Sequence, residues 1–181
     1  MLDYYEKRVL ILGCGNILFG DDGFGPAVVE YLQKHYDLPQ DVAVIDVGSG
    51  VREILFNLLL SEIKPQKIII VDAIDAGRKP GEVFEVAIED LPKNKVDDFS
   101  MHQIPTSNLL RELKVLGQVE VKLIAAQVEN IPEMVQPGLS NRLSEAIPAA
   151  CKMILSDLSD LSDLSDSSDR SNLSDPKRSI L

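Results

Sequence analysis

Two adjacent acids, Asp21 and Asp22, follow the glycine turn Gly13-Cys14-Gly15-Asn16, which itself follows an apolar run over residues 9–12. Four apolar residues in a row suit a buried strand, and Gly13 and Gly15 permit a tight turn with close backbone approach. The turn is not a nucleotide cradle. A dinucleotide fingerprint needs glycine where Leu18 stands, and a phosphate loop needs a Gly-Lys-Ser/Thr that is absent. Carboxylates at this place would repel a pyrophosphate, so a cation or a protonated group is the better guest. One acid of the pair is expected to cap the helix starting near Gly25-Pro26, leaving the other available.

In an open parallel sheet, ligands bind beyond the carboxyl ends of the strands, which selects few further residues. Asp72 closes the very apolar run Lys-Ile-Ile-Ile-Val at residues 67–71 and is costly there without a partner, a metal or a hydrogen-bonded network. Asp46 has Gly48, Ser49 and Gly50 beside it and reads as turn chemistry, as does Asp75. Cys14 lies close enough to act as a nucleophile, but packing of a small residue under the turn explains it better. Of the two histidines, His35 sits at the end of a helix, a surface position that needs no other account. His102, where a loop approaches a helix, could bring a neutral imidazole over the sheet. Two carboxylates and one imidazole from separate segments suit a divalent transition metal with open positions. Neither His-Glu-x-x-His, a Cys/His cluster nor a Gly-x-Ser-x-Gly elbow is present.

Strands and helices must alternate to place these groups. Strands are expected at residues 9–12, 41–47, 67–74, 82–88 (an edge strand) and 119–127, with helices at 27–35, 51–63, 106–115 and 139–155. Pro148 should kink the last helix or make it start late. The pattern predicts a single three-layer α/β domain, a doubly wound, mostly parallel twisted sheet of about five strands with helices on both faces. That domain is expected over residues 1–155. Residues 156–181, rich in repeated Ser-Asp-Leu, read as a low-complexity tail, solvated and helical only near its start, because leucines every third residue drift around a helix.

Composition narrows the partners. The chain has 181 residues, 45% of them hydrophobic, enough for one full core. A net charge of -11 disfavours nucleic acid and anionic membrane, leaving protein or small-molecule partners. Two cysteines far apart suggest free thiols in a reducing compartment, and no apolar segment suits a membrane span or signal core, so a cytoplasmic protein is expected.

The set Gly13-Cys14-Gly15-Asn16-Ile17-Leu18, Asp21-Asp22-Gly23-Phe24-Gly25, Val71-Asp72-Ala73 and His102-Gln103 resembles the hydrogenase maturation endopeptidases, over roughly residues 7–154. The wording Leu-Phe-Gly-Asp-Asp-Gly-Phe-Gly-Pro is most similar to the branch serving coenzyme F420-reducing hydrogenases of methanogens. The resemblance implies a peptidase that removes a carboxyl-terminal extension from the large-subunit precursor of a nickel-iron hydrogenase once nickel is inserted. It implies Asp22, Asp72 and His102 as the metal-contacting and catalytic set, with nickel supplied by the precursor rather than held permanently. Where many members carry glutamate, Asp22 keeps the charge and shortens the reach. Gly13, Gly15, Asn16 and Asp21 are expected to shape a turn that cradles the substrate. The rival reading is a non-hydrolytic nickel-binding or precursor-binding escort of doubly wound fold.

Overall fold

The computed structural model describes residues 3–90 and 107–169. Five strands, β1 (Val9–Cys14), β2 (Val42–Gly48), β3 (Lys67–Ile74), β4 (Val83–Val86) and β5 (Glu120–Gln127), form one sheet in the order β2-β1-β3-β5-β4. All neighbours are parallel except β4, which pairs antiparallel with β5 at the edge. Four helices, α1 (Phe24–His35), α2 (Val51–Leu60), α3 (Ser107–Val115) and α4 (Asn141–Asp169), cover it.

The alternation of side chains along each strand builds two cores. Val9 and Ile11 of β1, Ile69, Val71 and Ala73 of β3, and Ile124 and Ala126 of β5 meet Phe24, Val28 and Leu32 of α1 and Leu143, Ala150 and Ile154 of α4. The intervening residues Leu10, Leu12, Ile68, Ile70 and Leu123 meet Leu55 and Leu58 of α2 and Leu110 and Leu113 of α3. Central strands therefore read as continuous apolar runs because both faces are covered. The three-layer arrangement expected from the sequence is present. From β1 the chain passes to β2 on one side while β3 lies on the other, so the order reverses between β1 and β3, and a crevice opens there beyond their carboxyl ends.

The carboxyl-terminal half corrects the expected end of the last helix. Pro148 lies inside α4 without ending it, at the cost of the hydrogen bond its missing N–H would have given the Ser144 carbonyl. The helix also runs unbroken through the expected boundary at residues 155 and 156 and on to Asp169. The opening of the Ser-Asp-Leu stretch belongs to the folded domain, because Leu158 packs against the α1/α4 core and Asp157 is 8% exposed. Asp157 pairs with Lys122 at 2.7 Å and with the buried Lys67 at 3.4 Å, and these lysines also meet Glu85 and Glu120. Lysines rooted in β3 and β5 thus require a carboxylate from this turn of α4, which repetition in the sequence conceals. Among the described residues no helix is long and apolar enough to cross a membrane.

Candidate active site

Glycines bring the acids to the crevice. β1 leaves the sheet through Gly15, whose φ of 119° is a left-handed conformation and whose N–H donates to the Gly48 carbonyl at 3.1 Å. A methyl group at Gly15 would stand 1.8 Å from the Asp22 carbonyl oxygen, and one at Gly25 would stand 2.2 Å from the Cys14 carbonyl oxygen and 2.5 Å from that of Val71. Only bare backbone lets the first turn of α1 rest on the ends of β1 and β3. Gly13 serves the same packing, since a methyl there would meet the Gly25 carbonyl at 2.5 Å. It is buried, so its part in the turn is to seat α1 rather than to touch substrate.

Asp21 and Asp22 lie on a 3-10 turn, Gly20–Gly23, that leads into α1. Neither is the cap residue of that helix: Gly23, which has no side chain to offer, occupies the cap position in place of the expected acid. The Asp22 carboxylate, 6% exposed, accepts the Asn16 N–H at 2.8 Å, and the Asn16 side-chain oxygen accepts the Leu18 N–H at 3.0 Å, so the glycine turn is closed on itself. Asp21 is wholly buried and accepts three backbone N–H groups, from Glu129 and Asn130 through Oδ2 and from Ser140 through Oδ1, at 2.7–3.0 Å. It is therefore a brace between the site turn and the segment after β5, not a substrate-facing group. Ser140 in turn accepts the Leu143 N–H at 3.3 Å as α4 begins.

Asp72 lies near the end of β3, where its Oδ1 accepts the Ala73 N–H at 2.8 Å. Desolvation pushes its carboxyl from an ordinary 3.8 up to about 7, against the opposing pull of the Ala73 hydrogen bond, and the negative charge of Asp22 adds to the rise. The two acids favoured from strand ends therefore share one electrostatic corner. Cys14 is buried in the same corner, and burial, then Asp72, Asp46 and Asp22, push its thiol well above the ordinary range. It is held as a thiol, in keeping with a packing role rather than nucleophilic chemistry.

Asp46 is exposed and accepts the Gly48 N–H at 2.9 Å, ordinary turn chemistry. His35 bonds through Nδ1 to the Tyr31 carbonyl oxygen and stacks on the Tyr31 ring, as its surface position suggested. His102 lies outside the described residues. Among the described residues no group of three or more His, Cys, Asp or Glu side chains is placed to hold a metal ion. What the fold assembles there is a pair of carboxylates.

Gln127, at the carboxyl end of β5, is a positioning residue not singled out from the sequence. Its Oε1 accepts the Ala76 and Arg78 N–H groups, and its Nε2 donates to Asp75 and to the Val128 carbonyl, fixing the loop that follows Asp72. Extending the strand-end search to β5 would have found it.

Comparison with known proteins agrees with this architecture. The family model described as HycI, hydrogenase maturation protease, matches residues 26–157. A putative hydrogenase maturation protease of Methanocaldococcus jannaschii is 40% identical over 155 residues, spanning 84% of this chain and 97% of its own. The coenzyme F420 hydrogenase subunit delta of Methanothermobacter thermautotrophicus is 35% identical, spanning 85% of this chain and 96% of its own. Among solved structures, the hydrogenase maturating endopeptidase HybD of Escherichia coli superposes with a TM-score of 0.64 at 32% identity, over 84% of this chain and 93% of that one. With a family match across most of its length and a doubly wound sheet bearing two acids at its switch point, this chain belongs to the hydrogenase maturation protease family.

Proposed function

We propose that this protein removes a carboxyl-terminal extension from the nickel-loaded large-subunit precursor of an F420-reducing nickel-iron hydrogenase, with Asp22, Asp72 and His102 as the residues that read the nickel and assist cleavage. One observation carries the reading: Asp22 and Asp72 stand in one desolvated corner at the switch point, where each opposes the other's charge. A divalent cation relieves that repulsion and draws Asp72, poised near neutrality, into its carboxylate form. Carboxylates and one imidazole suit nickel, yet three such ligands hold free metal poorly, which favours a metal that arrives already bound to the precursor. The 35% identity to a chain named as an F420 hydrogenase subunit supports that branch.

Nickel on the substrate supplies Lewis acidity at the scissile peptide. Water adds to the carbonyl carbon, the carbon–nitrogen bond breaks, and the leaving nitrogen takes a proton. Asn16 and Gly15 shape the rim of the corner, and Asp21 and Gln127 hold the two loops that border it. Free, buried Cys14 and Cys151 favour a reducing, cytoplasmic setting, and the acidic charge speaks against nucleic acid as a partner.

The test is intact-mass measurement of the F420-reducing hydrogenase large-subunit precursor, nickel-loaded and nickel-free, after incubation with the protein. Loss of a carboxyl-terminal peptide from the nickel-loaded form alone, abolished by His102→Ala without a change in melting temperature, is the expected result. Tight association with the precursor and no cleavage would instead establish the escort.

A further inference from the structure

At the end of the domain away from the crevice, five large apolar side chains stand in water. Phe56 is 50% exposed and Leu60 68% on α2, Ile63 is 58% exposed just beyond it, and Val115 and Leu116 are both 74% exposed where α3 ends. Phe56 and Leu60 lie one turn apart on the outer side of α2, while Leu55 and Leu58 turn inward to the core. The two segments adjoin, since a methyl group added at Gly117 would stand 3.2 Å from the Lys64 side chain. The five side chains therefore form one surface.

That surface amounts to roughly 500 Å2, high in the ~300–600 Å2 range of the largest apolar patch on a typical monomer. With its polar border it approaches the roughly 800 Å2 that each partner gives to a standard interface. The border carries both signs, Lys64 and Lys114 against Glu62, Glu89 and Glu112, in a chain whose net charge is -11. Turned about a twofold axis, such a border offers lysines to glutamates, while the net charge sets the rest of one copy against the rest of another. The patch precedes Lys67 and Glu120, which open β3 and β5, and Asp72 lies five residues further along β3, roughly 17 Å away. Covering the patch leaves the crevice open.

We propose that this patch is the interface of a homodimer, in which two copies of the chain meet about a twofold axis through the ends of α2 and α3, with Leu60 and Leu116 at its centre. The apolar centre supplies the driving force, and the mixed border fixes the register. Charge selects the second copy as the occupant. A partner chosen for a basic or an acidic character would meet a border of one sign, whereas this border has both and is complementary to itself. The dimer goes beyond the peptidase reading and does not depend on it. Because the patch lies at the amino ends of β3 and β5, both crevices remain free for precursor.

The experiment measures the mass of the full chain in solution by sedimentation equilibrium and by light scattering after gel filtration, over a range of concentrations. Wild type should have twice the monomer's mass. Leu60→Asp and Leu116→Asp should each raise the dissociation constant about tenfold or more, the scale of losing one anchor in an interface, with circular dichroism spectra matching wild type. Met134→Asp, at a position 80% exposed on the segment after β5, is the control and should stay dimeric. Lys64→Glu and Glu112→Lys should each weaken the dimer alone and recover when mixed in equal amounts, because the mixed pair restores opposite charges across the axis. A wild type that is monomeric up to about 100 μM would overturn the dimer, and loss of precursor binding in Leu60→Asp would then give the patch to the precursor. A dimer left intact by Leu60→Asp and Leu116→Asp would overturn this surface as its interface. Neither result bears on cleavage, which fails or holds on the mass of the precursor.

Discussion

Replacing Asp72 with asparagine should stabilise the fold while removing activity, and the size of the gain can be worked from the site. The carboxyl titrates near 3.8 in the unfolded chain and at about 7 in the folded one, chiefly through desolvation. Between those values the unfolded chain releases the proton and the folded chain keeps it. Stability is therefore full at the acid end, falls as pH rises through this window, and levels off above about 7. The gap, at about 1.4 kcal/mol per unit, comes to roughly 4 kcal/mol. Asparagine is the same size, never ionises, and keeps an oxygen for the Ala73 N–H. Urea unfolding of both proteins from about pH 4 to about pH 8 should show asparagine gaining on wild type along this window, by roughly 4 kcal/mol at the upper end. The same variant should leave nickel-loaded precursor uncut. A stability difference that does not change with pH would refute the placement of Asp72 in a desolvated, acid-repelling corner.

Two further changes test the braces around the site. Asp21→Ala strips three buried backbone N–H groups of their acceptor and should cost about 3 kcal/mol or more, read by urea unfolding, with cleavage slowed because the turn that carries Asp22 loosens. At the opposite end of the sheet, Asp157→Ala leaves the buried Lys67 with Glu120 and deprives Lys122 of its shorter bond. It should cost about 3 kcal/mol by the same assay, while kcat on the precursor stays at the wild-type value.

Period and punctuation made most of the fold legible. The strands of residues 67–74 and 120–127 announce themselves as apolar runs, and the breakers around them mark where helices begin and end. Helix ends were less legible: α1 starts at Phe24, earlier than the polar–apolar period suggests, because Gly25 and Pro26 lie against strands that the local sequence does not reveal. The edge strand β4 is shorter than its alternating run, since only Val83–Val86 find partners on β5. Strand-end reasoning pointed to Asp72 and to the pair Asp21 and Asp22, and the resemblance singled out Asp22 of that pair, whereas the roles of Asp21 and Gln127 depend on partners more than forty residues away along the chain.

The sequence by itself determined which residue types reach the ends of the strands, that the sheet is mostly parallel and covered on both faces, and that a glycine turn carries a pair of acids. Those are local properties, set by side-chain period, by the conformations open to glycine and by the cost of an acid closing an apolar run. Tertiary structure alone decided that Asp21 is spent as a brace to the segment after β5 while Asp22 closes the glycine turn through the Asn16 N–H. It also decided that Asp72 is lifted toward neutrality, and that an aspartate inside a repetitive stretch is drawn into the fold by two lysines. Each of these depends on desolvation and on charges brought together from distant segments, quantities that exist only once the chain has folded around them.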